Sequence, residues 1–386
     1  MLHSRARILS IFILAAACVS GCDKPADKAP EQGAAGDVKA ADGQLAAGGG
    51  ADAGAAKPAC DNCAAADTGA DKGKAADDGK LVVYSARSAK LVDPLIQKFE
   101  AATGVKVDVR YGDSTNLVTK LRTEGDQTDA DVFFAQDLGN LGVLRDAKLL
   151  RPLPESITGQ TQASLREASG AWVVTSGRVR VLVYNPDKVK PEELPLTLKE
   201  LADPKWKGKL GWAPTNGSFQ AHVSALRALW GEQEAEAWLT GMKANEPVVY
   251  PKNSPQVAAV DNGEIQIGWV NHYYMHELRR ANPALRAANY SFRTPGDAGN
   301  LMMLSGVGVI ASTKRSASAE KFAAFLVSKE AQTYFTQETF EYPTTDGVET
   351  HPDVPGIATL SLVEVDQRAL TDLAPTLSLL QKLGIQ

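Results

Sequence analysis

The sequence predicts an α/β protein built as two lobes, and three observations carry that reading. Between residues 80 and 134, short apolar runs alternate with segments of helical spacing in the order β-α-β-α-β, the sign of a parallel sheet covered by helices. The same style resumes after Gly177. The chain has 386 residues, too long for a single small domain and suited to two lobes with extensions.

Leu81-Val82-Val83-Tyr84-Ser85 reads as a buried strand. Val92, Leu95, Ile96 and Phe99 follow at helical spacing, and Gly104 ends that helix. Pro94 places its regular start near Asp93, with a start near Ser88 as the alternative. Val105, Val107 and Val109 alternate as a strand, Leu117, Val118 and Leu121 mark a second helix, and Asp131-Val132-Phe133-Phe134 is a third strand. Ligands of such sheets bind in loops at the carboxyl ends of strands, which puts residues 85–88 and 135–137 on the rim of a site. In the second half, Val179-Arg180-Val181-Leu182-Val183-Tyr184 is a strand and 209–212 a short one. The loop Pro214-Thr215-Asn216-Gly217-Ser218 leads into a helix over 219–230. A strand over 265–270 ends in Asn271-His272-Tyr273-Tyr274, after which a helix is expected over 275–280. A later helix is expected over 320–332, with Phe322, Phe325 and Leu326 inward. No internal repeat is visible.

The first 79 residues read differently. His3, Arg5 and Arg7 precede an apolar run over 8–19, too short to span a bilayer but right for a signal segment. Val19-Ser20-Gly21-Cys22 then matches a bacterial lipoprotein cleavage site, giving a signal peptide over 1–21 and an acylated Cys22; the alternative is an ordinary signal with an incidental cysteine. Residues 22–79, rich in Ala, Gly, Asp and Lys and without an aromatic, bury too little apolar surface to order and read as a disordered tether. Cys60 and Cys63 lack a second pair for a structural zinc site, so a local disulfide is the better assignment. No other run spans a membrane, leaving the lipid as the only membrane contact. A net charge of −5 gives no reason to expect nucleic acid as a partner.

Tyr273-Tyr274 stands where a strand ends and a helix begins. Successive helical residues point roughly 100° apart, so two phenolates there can occupy adjacent corners around a hard trication such as Fe(III); the alternative is two packing aromatics. Asn216-Gly217-Ser218 opens a helix whose unpaired N–H groups make an anion site, or serves as an N-cap alone. Asn253 and Asn271 are further polar residues at element ends. His272 and His276, at i and i+4, have a spacing that can hold zinc, with Glu277 beside them. A zinc hydrolase would need Glu directly after the first His, where Tyr273 stands, and a third ligand, so the histidines read as packing residues. There is no phosphate-binding Gly-rich loop with a lysine and no nucleophile-elbow serine, and the expectation is a protein without catalysis.

In order along the chain, several segments resemble the periplasmic ferric-ion-binding proteins. They are Val83-Tyr84-Ser85-Ala86-Arg87, Ala130-Asp131-Val132-Phe133-Phe134, Ser176-Gly177-Arg178-Val179-Arg180-Val181 and Pro204-Lys205-Trp206-Lys207-Gly208. Pro214-Thr215-Asn216-Gly217-Ser218-Phe219, Lys252-Asn253-Ser254, Asn262-Gly263-Glu264, Asn271-His272-Tyr273-Tyr274 and Glu341-Tyr342-Pro343 follow. The resemblance implies a two-lobed, type II periplasmic-binding-protein clamshell, transferrin-like, with hinge strands. It implies a first lobe of 80–178 plus 303–352 and a second of 179–302 plus 353–386. It further implies Fe(III) as cargo on Tyr273 and Tyr274, and a carbonate or phosphate held at Asn216, Gly217, Ser218, Asn253 and Asn271. A branch with a third tyrosine has it where this chain has Asn216, and Tyr184 stays a strand residue. The chain departs from the family at two first-lobe ligands: Ser88 stands for a histidine, and Gln136, beside Asp137, for a glutamate. Water and anion, or Asp137, then fill those corners. Arg87 and Arg178 either hold an anion or make hinge salt bridges. The family implies an importer with an ABC permease and ATPase, and a monomer on the periplasmic side of the bacterial envelope. The alternative cargo on the same fold is a phosphonate, a polyamine or a thiamine-like molecule.

Overall fold

The computed structural model describes residues 80–370 and 373–385, all within one compact unit. The expected signal segment and tether, with Cys22, Cys60 and Cys63, lie outside these residues. The chain begins β1 (Lys80–Ser85), α1 (Ala89–Thr103), β2 (Lys106–Tyr111), α2 (Ser114–Glu124), β3 (Val132–Ala135), α3 (Leu138–Asp146), β4 (Leu150–Arg151) and α4 (Glu155–Thr158). It continues with β5 (Val173–Tyr184), β6 (Leu210–Trp212), α5 (Gly217–Trp230), α6 (Glu232–Ala244), β7 (Val248–Val249), α7 (Asn253–Asn262), β8 (Ile267–Asn271) and α8 (Tyr273–Ala281). The last elements are β9 (Ala288–Tyr290), β10 (Met302–Ile310), α9 (Ser316–Leu326), α10 (Lys329–Gln337) and α11 (Leu373–Lys382).

β1 pairs in parallel with β2 and with β3, and strand alternation splits its side chains between two faces. Leu81 and Val83 join Phe99 of α1 and Phe322 of α9 in one core. Val82 and Tyr84 join Leu117 and Leu121 of α2 and Leu141 of α3 in another. The sheet is therefore covered on both faces, as parallel strands require. Phe99 meets Phe322 edge to face at 5.1 Å, a geometry worth about 0.5–1.5 kcal/mol beyond the area it buries. The second lobe is built the same way around β8. Trp269 and Leu182 pack against α5, α6 and α11, while Val181, Val183 and Val270 pack towards α7 and α8.

The twelve-residue β5 joins the two sheets. From Val173 to Val179 it runs antiparallel to β10, and from Arg180 to Tyr184 antiparallel to β8. Beside it, Gly177 bridges Tyr342, so the segment at 341–342 runs along the same crossing. The first half of β5 escaped the hydrophobic pattern because Thr175, Ser176 and Arg178 are polar, yet all three are buried by structure on both faces. β10 carries a register shift at Ser305/Gly306, and a Cβ at Gly306 would lie 2.8 Å from Leu138 and 2.9 Å from the Val173 carbonyl. Only glycine fits that close approach.

Several boundaries differ from expectation. α1 starts at Ala89, the earlier of the two expected positions, because the N–H groups of Leu91 and Val92 bond the Ser88 carbonyl and close the first turn ahead of Pro94. Gly104, at φ 73°, ends the helix in the left-handed conformation. The single helix expected over 320–332 is two, α9 and α10, because Ser328 accepts the Ala331 N–H and caps a new start. α5 begins two residues early, at Gly217, and α8 begins at Tyr273, which makes both tyrosines its first residues. Among the described residues no helix is long and apolar enough to cross a membrane.

Candidate functional site

A cleft of about 470 Å³ opens between the two sheets where strands end and helices begin. Ser88, Ser114, Gln136 and Asp137 line it from the first lobe, and Asn216, Gly217, Ser218, Tyr273 and Tyr274 from the second, with Arg178 also in its wall. Five helices point their N-termini at this space. α2 is capped by Asp113, α3 by Asp137 and α5 by Asn216, each side chain accepting a backbone N–H of the first turn. α1 starts after Ser88, which makes no side-chain cap bond, and α8 starts after His272. The arrangement follows from the alternation of strand and helix, and its aligned backbone dipoles favour negative charge.

The rings of Tyr273 and Tyr274 lie 4.2 Å apart and 32° from parallel. Tyr273 is 4% exposed, and burial, joined by its neighbour Tyr274 and by Glu341, pushes its phenol well above the usual value. Gly217 has nothing within 4 Å of its missing Cβ, so its backbone faces open cleft. Asn271 ties two parts of the site together: its Nδ2 donates to Ser218 Oγ at 3.2 Å, and its Oδ1 accepts from Arg180 Nη1 at 3.0 Å. Asn253 begins α7, fully buried, with both side-chain polar atoms unpaired, and it is not among the residues lining the cleft.

Three guanidinium groups lie beneath the cleft, and they are not equivalent. Arg87 forms a bidentate pair with Glu341 at 2.9 and 2.7 Å. Arg178 donates to Ser305 Oγ and to the Gln136 carbonyl and has no carboxylate partner, while the Nε atoms of all three are unpaired. Burial and the adjacent Arg87 charge pull Arg178 down. Arg180 sits 5.0 Å from the Trp269 ring centre, and burial pulls it down to about 9, still charged at neutral pH. Asp137 is pushed up by burial, against the Asn140 N–H that it accepts.

His272 and His276 do not converge on a metal position. The Val179 N–H donates to His272 Nδ1 at 3.1 Å, and Nε2 donates to the Phe340 carbonyl at 2.6 Å, so both ring nitrogens are used. His276 stacks on Phe340, and Glu277 pairs with Lys90. Among the described residues no group of three His, Cys, Asp or Glu side chains could hold a metal ion.

The family model for bacterial extracellular solute-binding proteins matches residues 94–358. The major ferric iron-binding protein of Neisseria meningitidis serogroup A is 34% identical over 310 residues, 79% of this chain and 93% of that protein. This chain belongs to the periplasmic ferric-ion-binding family of bacterial solute-binding proteins. The Fe(3+)-binding periplasmic protein of Serratia marcescens is 34% identical over 76% of this chain and 87% of its own length. The crystal structure of iron-bound HitA from Pseudomonas aeruginosa superposes with a TM-score of 0.75 at 32% identity, over 79% of this chain and 99% of that one. In this solute-binding protein, sequence reasoning passed over Arg180, Asp113 and Ser114. The signal for Asp113 was present, since Asp-Ser-Thr before an apolar helical run is an N-cap signature. Arg180 gave none, because an arginine within an apolar strand does not reveal what faces it.

Proposed function

We propose that the chain is the substrate-binding lipoprotein of an ABC importer that carries ferric iron in the cleft. The observation carrying this is the pair Tyr273 and Tyr274 at the start of α8, lining the same space as the N-terminus of α5. Iron bound there would draw the proton from each phenol and take two anionic oxygens. A carbonate or phosphate would complete its shell, held by Asn216, Gly217 and Ser218, with Asn271 orienting Ser218 and Asn253 at the next helix start. Asp137 stands on the opposite wall as a further oxygen donor, near Ser88 and Gln136. Arg87 is held by Glu341 and supports the hinge, whereas Arg178 remains for an anion.

The named relatives that bind ferric iron support the cargo. The lobes would part and close about β5, with the first at 80–178 plus 303–352 and the second at 179–302 plus 353–386. Cys22 would carry the lipid on the periplasmic side of the envelope, and a permease and ATPase would receive the iron from a monomer. The buried guanidinium charge weighs against a polyamine or thiamine-like cation. It leaves one second reading, an organic oxyanion such as a phosphonate. The visible absorption spectrum of the full chain loaded with ferric citrate separates the two. A broad tyrosinate-to-iron charge-transfer band supports the ferric reading, and a colourless protein that keeps no iron after desalting overturns it.

A further inference from the structure

The helix that carries the two tyrosines is fastened to the first lobe outside the cleft. Tyr273 and Met275 of α8 belong to the second-lobe core with Val181 and Val270. Val92 of α1 and Phe335 of α10 belong to the first-lobe core. Three polar contacts join these helices, and together they close a triangle.

The first side lies within the first lobe. The Tyr334 hydroxyl of α10 donates to the Leu91 carbonyl at 3.0 Å and holds the first turn of α1 in place. The second side joins the far end of α8 to the end of α10. Arg280 Nη1 donates to the Glu338 carbonyl at 3.0 Å and Nη2 to the Gln337 carbonyl, oxygens at a helix C-terminus where a cation is favoured. The same guanidinium lies 4.3 Å from the Phe340 ring centre. The third side crosses between the lobes, where Lys90 Nζ donates to Glu277 Oε2 at 3.3 Å. Lys90 adjoins Leu91 and follows Ser88 by two positions, and both of those line the cleft. Glu277 follows Tyr273 by four positions and Tyr274 by three, so it shares their side of α8. Its side chain is only 18% exposed, which leaves its charge less screened than a fully solvated one. With two sides of the triangle fixed, this pair sets the third: the span between the first-lobe wall and the phenols.

We propose that Lys90 and Glu277 are positioning residues of the cleft, an ion-pair clasp between α1 and α8 that fixes how long the lobes stay shut on the cargo. Neither residue touches the metal. The proposal rests on the ferric reading above and adds what governs the release rate.

The test loads the full chain with iron-55 from ferric citrate, desalts it, and follows iron loss to excess EDTA. Lys90→Gln and Glu277→Gln should each speed release about two- to fivefold, the share of one partly exposed ion pair. Lys90→Glu sets like charges against each other and should speed it about tenfold. Lys90→Glu combined with Glu277→Lys restores opposite charges and should return the rate to within about twofold of the parent, a recovery that mere loosening of either helix does not give. The position of the visible band and the melting midpoint of the iron-free chain should hold throughout. Release at the parent rate in Lys90→Glu, or no recovery in the exchanged pair, overturns the clasp and leaves the ferric reading standing. A parent chain that retains no iron overturns the ferric reading, and the clasp's role with it.

Discussion

Arg87 and Glu341, 254 positions apart in sequence, meet in a bidentate ion pair whose side chains are each 1% exposed. Burial works against both charges, and their mutual attraction more than reverses it, so Glu341 lies below the usual carboxylate range and Arg87 above its own. Removing one partner leaves the other charged and dry. Glu341→Ala should therefore cost about 3–5 kcal/mol, read from urea unfolding. A loss below about 1 kcal/mol would show that water or Ser305 compensates Arg87 and that the pair contributes little.

Replacing both Tyr273 and Tyr274 by phenylalanine removes only the phenol oxygens. Iron retention and the visible band should both vanish, with a melting midpoint within a few degrees of the parent, since the aromatic packing of α8 is kept. Unchanged iron affinity in the double variant would take the metal away from this pair.

Acid should loosen the hinge through His272. Burial holds its pKa at about 4, against 6.5 for the free side chain. The folded value is depressed, so the unfolded chain binds the proton first. The stabilisation is fully present above about pH 6.5 and is lost as pH falls through about 4, to an extent on the order of 3 kcal/mol. Glu341 acts in the same direction at lower pH, its contribution present above its unfolded value of 4.5 and lost as pH falls through its lower folded one. His272→Gln should flatten the stability profile between pH 6.5 and 4; a profile unchanged in that window would assign the acid loss to other groups.

Iron should be released by acid for a separate reason. The Tyr273 phenol is held well above its ordinary value, so it is protonated in the empty site and gives up that proton when it binds metal. Retention should fall at least tenfold, roughly, for each pH unit lowered, measured by competition with a chelator of known pH dependence. A pH-independent retention would mean that Tyr273 binds no iron as a phenolate.

Gly217→Ala separates the anion from the fold. The added methyl meets nothing within 4 Å, and alanine is the better helix former, so stability should hold or rise by up to about 1 kcal/mol. The methyl occupies the space where the anion approaches α5, so iron retained in bicarbonate or phosphate should drop severalfold. Equal retention would move the anion away from this helix end.

Much of the framework was legible because its signals are local. The β-α-β-α-β opening, the helix stop at Gly104 and the helix start after Asn216 depend on neighbours a few residues away. The first half of β5 was missed because Thr175, Ser176 and Arg178 are buried by segments far along the chain, which no alternation encodes. The break at Ser328 was missed because apolar spacing runs through it, while a single side-chain oxygen caps the new helix.

By itself, the sequence determined that strands alternate with helices, that two tyrosines follow one strand end, and that a polar loop opens a helix, because periodicity and capping act over one or two turns. Only the tertiary structure decided that these two helix starts share one cleft, and that Arg87 is neutralised by Glu341 while Arg178 is left without a carboxylate. Charge compensation in a dry interior depends on which groups meet in space, and here those groups lie hundreds of residues apart.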